Sequence, residues 1–157
     1  MNKKLDAIDR RLLTLLQENS ETPLATLAEA VNLSTSPCWR RVQALRERGY
    51  ITRNVALADR DKLNLGVTVF VSVKTSQHNQ AWFEKFRDAV RNIPEVMEFY
   101  RMSGEVDYLL RIVVPDIGAY DAVYQRLIKT VELSDVSSSF AMEELKFTTA
   151  LPLEYVD

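Results

Sequence analysis

The hydrophobic pattern of this chain changes period near Leu65. Upstream, apolar residues recur every three to four positions, as they do on one face of a helix. From there on Leu65, Val67, Val69, Val71 and Val73 alternate with Thr68, Phe70 and Ser72, the two faces of a strand. A chain that switches in this way is neither a pure helical bundle nor a pure sheet, and an α+β arrangement in two parts is predicted. Its 157 residues leave room for two small domains.

The helical part begins with Leu5, Ile8, Leu12, Leu15 and Leu16, which share one face of a helix from about Asp6 to Glu18. Asp6 and Asp9 sit near its positive end, where acids are favourable. NSETP ends the helix, and Thr22 is placed to cap the next one with Pro23 at its first position. Leu24, Leu27, Ala28 and Val31 form that helix's apolar stripe. Asn32 suits the turn that follows, and Leu33 plugs the angle between helices. Ser34 or Ser36 caps a third helix that carries Pro37 in its first turn. Cys38, Val42 and Leu45 then face inward, which marks Cys38 as a buried structural thiol rather than a redox sensor. The outer surface receives Ser34, Thr35, Ser36, Trp39, Arg40, Gln43 and Arg46, with Arg41 adding to its charge. Hydroxyls at a helix start followed by Arg and Gln are groups that reach phosphates and base edges in a major groove. Trp39 serves equally as a packing residue or as a contact to a sugar-phosphate edge.

Two amphipathic helices can also be a plain hairpin with a solvated outer face. Charge argues otherwise. Residues 34–54 hold five arginines, Arg53 included, against the single acid Glu47, while the whole chain has a net charge of −2. Residues 1–54 carry a net +3 and the remainder −5, an asymmetry that suits two domains with different partners, the first of them double-stranded DNA. After Gly49, YITRNVALA reads as two short strands or one extended arm: a wing from which Arg53 touches phosphate, or simply the chain's exit. The polar ADRDKLNLG is read as a linker, although a surface loop would have the same composition. The expected domains are 1–54, a linker over 55–66, and 67–157.

In the second part Trp82, Phe83, Phe86, Val90 and Ile93 mark a helix closed by Pro94. Strands are expected at 95–103 and 106–114, flanking Gly104. A second helix after Pro115 and Asp116 is expected to bury Ile117, Tyr120, Tyr124, Leu127, Ile128 and Val131, and a last strand runs from about Val136 to Phe147. The order β-α-β-β-α-β puts both helices on one face of a four-stranded antiparallel sheet. The other face keeps apolar residues, Phe70 and either Phe99 or Tyr100 among them, so a second copy of the chain is the simplest cover. A homodimer also presents two reading helices to successive half-sites.

One cysteine excludes an internal disulfide framework, and the lone His78, in a polar loop, leaves no zinc constellation; no metal and no cofactor are expected. The opening MNKKLDAIDRRLL has acids within its apolar stretch and no small-residue cleavage site, so no signal peptide is expected. No apolar run approaches the length that spans a bilayer, and a cytoplasmic protein without membrane association is expected.

Three stretches, LDAIDRRLLTLLQEN, LAEAVNLSTSPCWRRVQALRERGYI and MSGEVDYLLRI, resemble the Lrp/AsnC family, the feast/famine transcriptional regulators of bacteria and archaea. They fall in the family's order and span essentially the whole chain. The resemblance implies an N-terminal winged helix-turn-helix and a C-terminal ferredoxin-like βαββαβ (RAM) domain. It further implies dimers that assemble to tetramers or octamers, and a free amino acid bound between RAM domains. Val106 stands where many members carry Tyr or Asp.

An amino-acid effector needs donors for its carboxylate and acceptors for its ammonium. Within MSGEVDY, Gly104 lets backbone approach closely, Glu105 and Asp107 offer charge, Ser103 adds a hydroxyl, and Tyr100 with Met102 forms an apolar wall. Ser137, Ser138 and Ser139 add further hydroxyls. The same residues also make an ordinary hairpin turn beside a polar strand. Two competing functions remain at this level. An architectural DNA-binding protein would leave the pocket silent. A metabolic enzyme or regulatory subunit on this scaffold is disfavoured, for no nucleophile–base pair or phosphate loop is present.

Overall fold

The computed structural model describes residues 4–156. The chain divides into two compact units: residues up to Leu57 together with those from Lys146 onward, and Ala58–Leu145.

In the first unit, helix α1 spans Ala7–Glu18, α2 Leu24–Ala30 and α3 Thr35–Glu47. Asp6 caps α1, accepting the Asp9 amide at 2.9 Å. Leu5, Leu12, Leu27, Ala28, Val31, Cys38, Val42 and Leu45 form the core as expected, together with Leu13. Burial pushes the Cys38 thiol upward, consistent with an unreactive core residue. Thr22 does not cap α2: its hydroxyl donates to the Asn19 carbonyl at 2.7 Å, and Pro23 takes the cap position without a side-chain bond. Asn32 adopts φ +53°, and the Leu33 amide returns to the Ala28 carbonyl at 2.9 Å, which closes the turn between α2 and α3. At the far end of α3, Gly49 has φ +78°. Tyr50 N–H reaches Leu45 O at 3.0 Å and Gly49 N–H reaches Arg46 O at 2.9 Å, the paired bonds that stop a helix on a left-handed glycine. No strand forms between α3 and residue 66 among the described residues, so the expected wing is an extended arm here.

The C-terminal segment corrects the expected boundary at 157. Leu153 and Val156 pack against the core of the helical unit, and the Arg10 guanidinium donates to the Val156 carbonyl. A polar linker was also expected to run to Gly66. Instead residues 58–66 form a turn of the second unit, with Leu65 N–H on Arg60 O at 2.8 Å and Asp59 Oδ1 accepting the Asp61 and Lys62 amides. The surface-loop alternative holds for this stretch, because the aspartate satisfies amides that a free linker would leave to water.

The second unit contains β1 (Val67–Lys74), α4 (Gln80–Arg91), β2 (Val96–Arg101), β3 (Tyr108–Val114), α5 (Ile117–Thr130) and β4 (Asp135–Phe140). The strands order β2-β3-β1-β4, all antiparallel. Val69, Val71 and Val73 with Leu110, Ile112 and Val114 meet Phe86, Val90, Val123 and Leu127 of the helices. Tyr108 gathers Trp82, Phe83, Phe86 and Phe99 around it within ring-centroid distances of 5.4–6.1 Å. Phe99 therefore belongs to the helix-covered face and Tyr100 to the open one. Two further expectations shift. Ile117, 69% exposed, and Ile128 lie outside the buried stripe of α5, which runs through Tyr120, Val123 and Leu127 at helical spacing. The last strand stops at Phe140 rather than 147. Beyond Ala141, whose amide still reaches Thr68 O at 2.9 Å, β1 has ended and offers no further partners.

Candidate functional site

In the first unit the candidate surface is the outer side of α3. Ser34, Thr35, Ser36, Arg40 and Arg46 are exposed, Gln43 is half-buried, and Trp39 is 53% exposed. A shallow depression is lined by Leu24, Thr35, Ser36, Trp39 and Arg40, so Trp39 stands at the surface and not in the core. The Ser34 side chain makes no capping bond, which leaves the first amides of α3 facing outward at the positive end of its dipole. Among the described residues, Arg40, Arg46 and Arg53 enter no ion pair. Such a surface offers amides, hydroxyls and exposed cations to an anionic polymer.

Arg41 is placed differently. Its Nη1 lies 2.7 Å from Asp6 Oδ2 and 2.8 Å from Asp9 Oδ1, and its side chain is only 29% exposed. Composition placed it among the outward cations; geometry turns it toward α1. The signal that was missed is the pair Asp6 and Asp9, three apart at a helix start and hence on one side of it. Arg48, counted in the charge of residues 34–54 but not among the candidate contacts, lines a cleft with Asp9, Pro37, Arg40, Arg41 and Ala44, its guanidinium 4.8 Å from the Tyr50 ring centre.

In the second unit, the strand register fixes what the helix-free sheet face displays. Glu98 and Tyr100 of β2 stand beside Arg111 and Leu109 of β3, these beside Phe70 and Ser72 of β1, and these beside Ser139 and Ser137 of β4. Glu98 binds both neighbours, receiving Arg111 Nη2 at 2.9 Å and the Tyr100 hydroxyl at 3.2 Å. The Arg111 hydrogen bond holds the Glu98 carboxyl below its usual range, and Glu98 in turn raises the Tyr100 phenol. Ser138 points the other way and hydrogen-bonds Tyr120 on the helix side, so the serine run is split across the sheet.

The β2–β3 turn is closed by Met102 N–H on Asp107 O at 2.8 Å. Gly104 has φ +111° with open space where a Cβ would sit, so backbone angle and not crowding demands glycine there. Met102, Ser103 and Glu105 are exposed, and Glu105 reaches Lys74 at 3.5 Å. Asp107 is occupied internally: its Oδ2 accepts the Thr75 amide at 2.8 Å and its own N–H reaches Val73 O at 3.1 Å. Within one chain the candidate effector residues do not converge. Tyr100 lies on one edge strand and Ser137 and Ser139 on the other, three strand spacings or roughly 14 Å away.

Two family models match this chain. Residues 5–46 match the AsnC-type helix-turn-helix domain, and residues 68–151 match the Lrp/AsnC ligand binding domain. The chain belongs to the Lrp/AsnC family. Among curated relatives, the DNA-binding transcriptional activator DecR of Escherichia coli is 51% identical, over 96% of this chain and 99% of that protein. An AsnC family transcriptional regulator from Agrobacterium tumefaciens has a solved structure that superimposes with a TM-score of 0.93. It is 57% identical and the match covers 96% and 99% of the two chains. The regulator NMB0573 from Neisseria meningitidis, solved as an L-Met complex, superimposes with a TM-score of 0.91 at 36% identity, covering 96% and 97%. This member of the Lrp/AsnC family has the α+β fold expected of it, a helix-turn-helix unit and a unit with a four-stranded antiparallel sheet. Among the described residues, no group of three or more His, Cys, Asp or Glu is placed to hold a metal ion, and no helix is long and apolar enough to cross a membrane.

Proposed function

We propose that this Lrp/AsnC family member is a sequence-specific regulator that binds double-stranded DNA through α3 and answers to a free amino acid. The observation that carries the reading is the outer side of α3, where Arg40, Gln43 and Arg46 project beside Trp39 and uncapped amides. Arginine and glutamine are the side chains that pair bidentately with guanine and adenine edges. Ser34, Thr35, Ser36 and Arg53 supply backbone contacts that set register.

The effector completes its site only when two copies meet. Glu98, Tyr100 and Arg111 supply one charged and aromatic wall on the open sheet face, and the wide spacing of the candidate residues calls for a second surface to enclose a small molecule. The L-Met complex of the Neisseria regulator supports the ligand class. A homodimer formed through this face is the unit of action, assembling further to a tetramer or octamer, and the cytoplasm is its place of work.

A thermal-shift screen of the free amino acids tests the effector half of the reading. A ligand held at about 100 times its Kd stabilises the folded state by about 2.7 kcal/mol. One amino acid, or a small chemically related group, is expected to raise the midpoint, and Tyr100→Ala is expected to weaken that rise. No shift with any amino acid at millimolar concentration would overturn it.

A further inference from the structure

We propose that Arg41 is a positioning residue for DNA recognition, tying α3 to the start of α1, and makes no DNA contact of its own; this rests on the reading of α3 as the DNA-reading helix.

One guanidinium nitrogen, Arg41 Nη1, stands between two carboxylates at the start of α1 at 2.7 and 2.8 Å. Asp6 has two duties, its Oδ1 capping α1 through the Asp9 amide and its Oδ2 receiving Arg41. Asp9 is 5% exposed, so it sits where a charge needs a partner. The hydrogen bonds that the Arg41 guanidinium donates to Asp6 and Asp9 hold it more firmly protonated than usual. Successive helix positions turn by about 100°, so Arg40 and Arg41 leave α3 in different directions even though both border the cleft that Asp9 and Arg48 also line. Arg40 faces outward and Arg41 faces α1.

The two helices also share the apolar core through Leu12, Cys38, Val42 and Leu45, and hydrophobic attraction, unlike a hydrogen bond, is non-directional. A side-chain layer about 5 Å from the axis moves by roughly 1 Å when the helix turns by about 10°. Base reading depends on hydrogen bonds whose useful range is narrower than that. A two-point polar tie fixes the rotation.

Fluorescence anisotropy of the full-length protein across a salt series tests this, on a duplex selected from randomised DNA. Arg41→Gln is expected to lower affinity for the selected duplex about tenfold, while the slope of log K against log salt is unchanged. The double variant Arg41→Gln with Asp9→Asn, which replaces the ion pair by a neutral hydrogen-bonded pair, is expected to recover at least half of the drop in log affinity. Should Arg41→Gln fail to fold, the double variant, which lacks the charge at position 41 but keeps a polar pair, is compared with wild type for both affinity and slope. A slope smaller by about 0.9 would mean that a phosphate contact had gone and would overturn the proposal. So would unchanged affinity, or no recovery in the double variant. Wild-type protein with no duplex binding at all would remove the DNA reading itself, a failure distinct from these.

Discussion

Gln17 and Leu151, 134 residues apart, hold each other at both ends of an amide: Leu151 N–H donates to Gln17 Oε1 at 2.7 Å, and Gln17 Nε2 donates to the Leu151 carbonyl at 3.2 Å. Together with the Arg10–Val156 bond and the packing of Leu153, this makes the C-terminal segment a structural part of the helix-turn-helix unit. The chain therefore passes between its two units twice.

Removing that segment should loosen α1. Leu153→Ala is expected to cost about 1–2 kcal/mol, less than a fully buried leucine because Leu153 is only partly covered. Truncation before Leu151 should cost more. Urea unfolding followed by hydrogen exchange in α1 measures both, and an α1 equally protected with and without the segment would refute its structural role.

The ties between α1 and α3 also predict a pH dependence. The Asp9 amide, against opposing burial and with help from Arg41, holds the Asp6 carboxyl below its ordinary value. A depressed carboxylate contributes stability that is present above its unfolded value and lost as pH falls through the folded one. Stability from this group should thus be flat near neutrality and decline from an ordinary aspartate's titration range downward, through the lower folded value. Asp6→Asn is expected to lower the urea midpoint at neutral pH and to flatten that acid decline. A variant whose decline matches wild type would contradict the assignment.

Phe70, 39% exposed, and Tyr100, 50% exposed, stand on the sheet face opposite α4 and α5. Phe70→Glu places a charge where a second copy is proposed to sit. Light scattering after size exclusion is expected to show wild-type dimers or larger assemblies and a shift toward monomer in the variant. A monomeric wild-type protein at micromolar concentration would refute dimerisation through this face.

Most of the fold was legible because periodicity reports burial directly. The β1 alternation, the α4 stripe and the inward trio Cys38, Val42 and Leu45 follow from one-dimensional spacing. The C-terminal docking was not legible. Leu153 and Val156 are two apolar residues in a short run, and nothing local says that they pack against helices from the opposite end of the sequence. Arg41 was misplaced for a related reason: counting charge over residues 34–54 ignores acids brought in from another helix. Ser137, Ser138 and Ser139 were grouped by adjacency, although strand geometry alternates neighbours between faces.

The central claim is that α3 reads DNA, and its most direct measurement is binding of a duplex selected from randomised DNA, by anisotropy, to wild type, Arg40→Ala and Gln43→Ala. Each substitution is expected to lower specific affinity by about 1–3 kcal/mol for each base-edge hydrogen-bonding pair it removes, and to relax sequence preference at one position of the site. Retention of both affinity and preference in the two variants would contradict the claim.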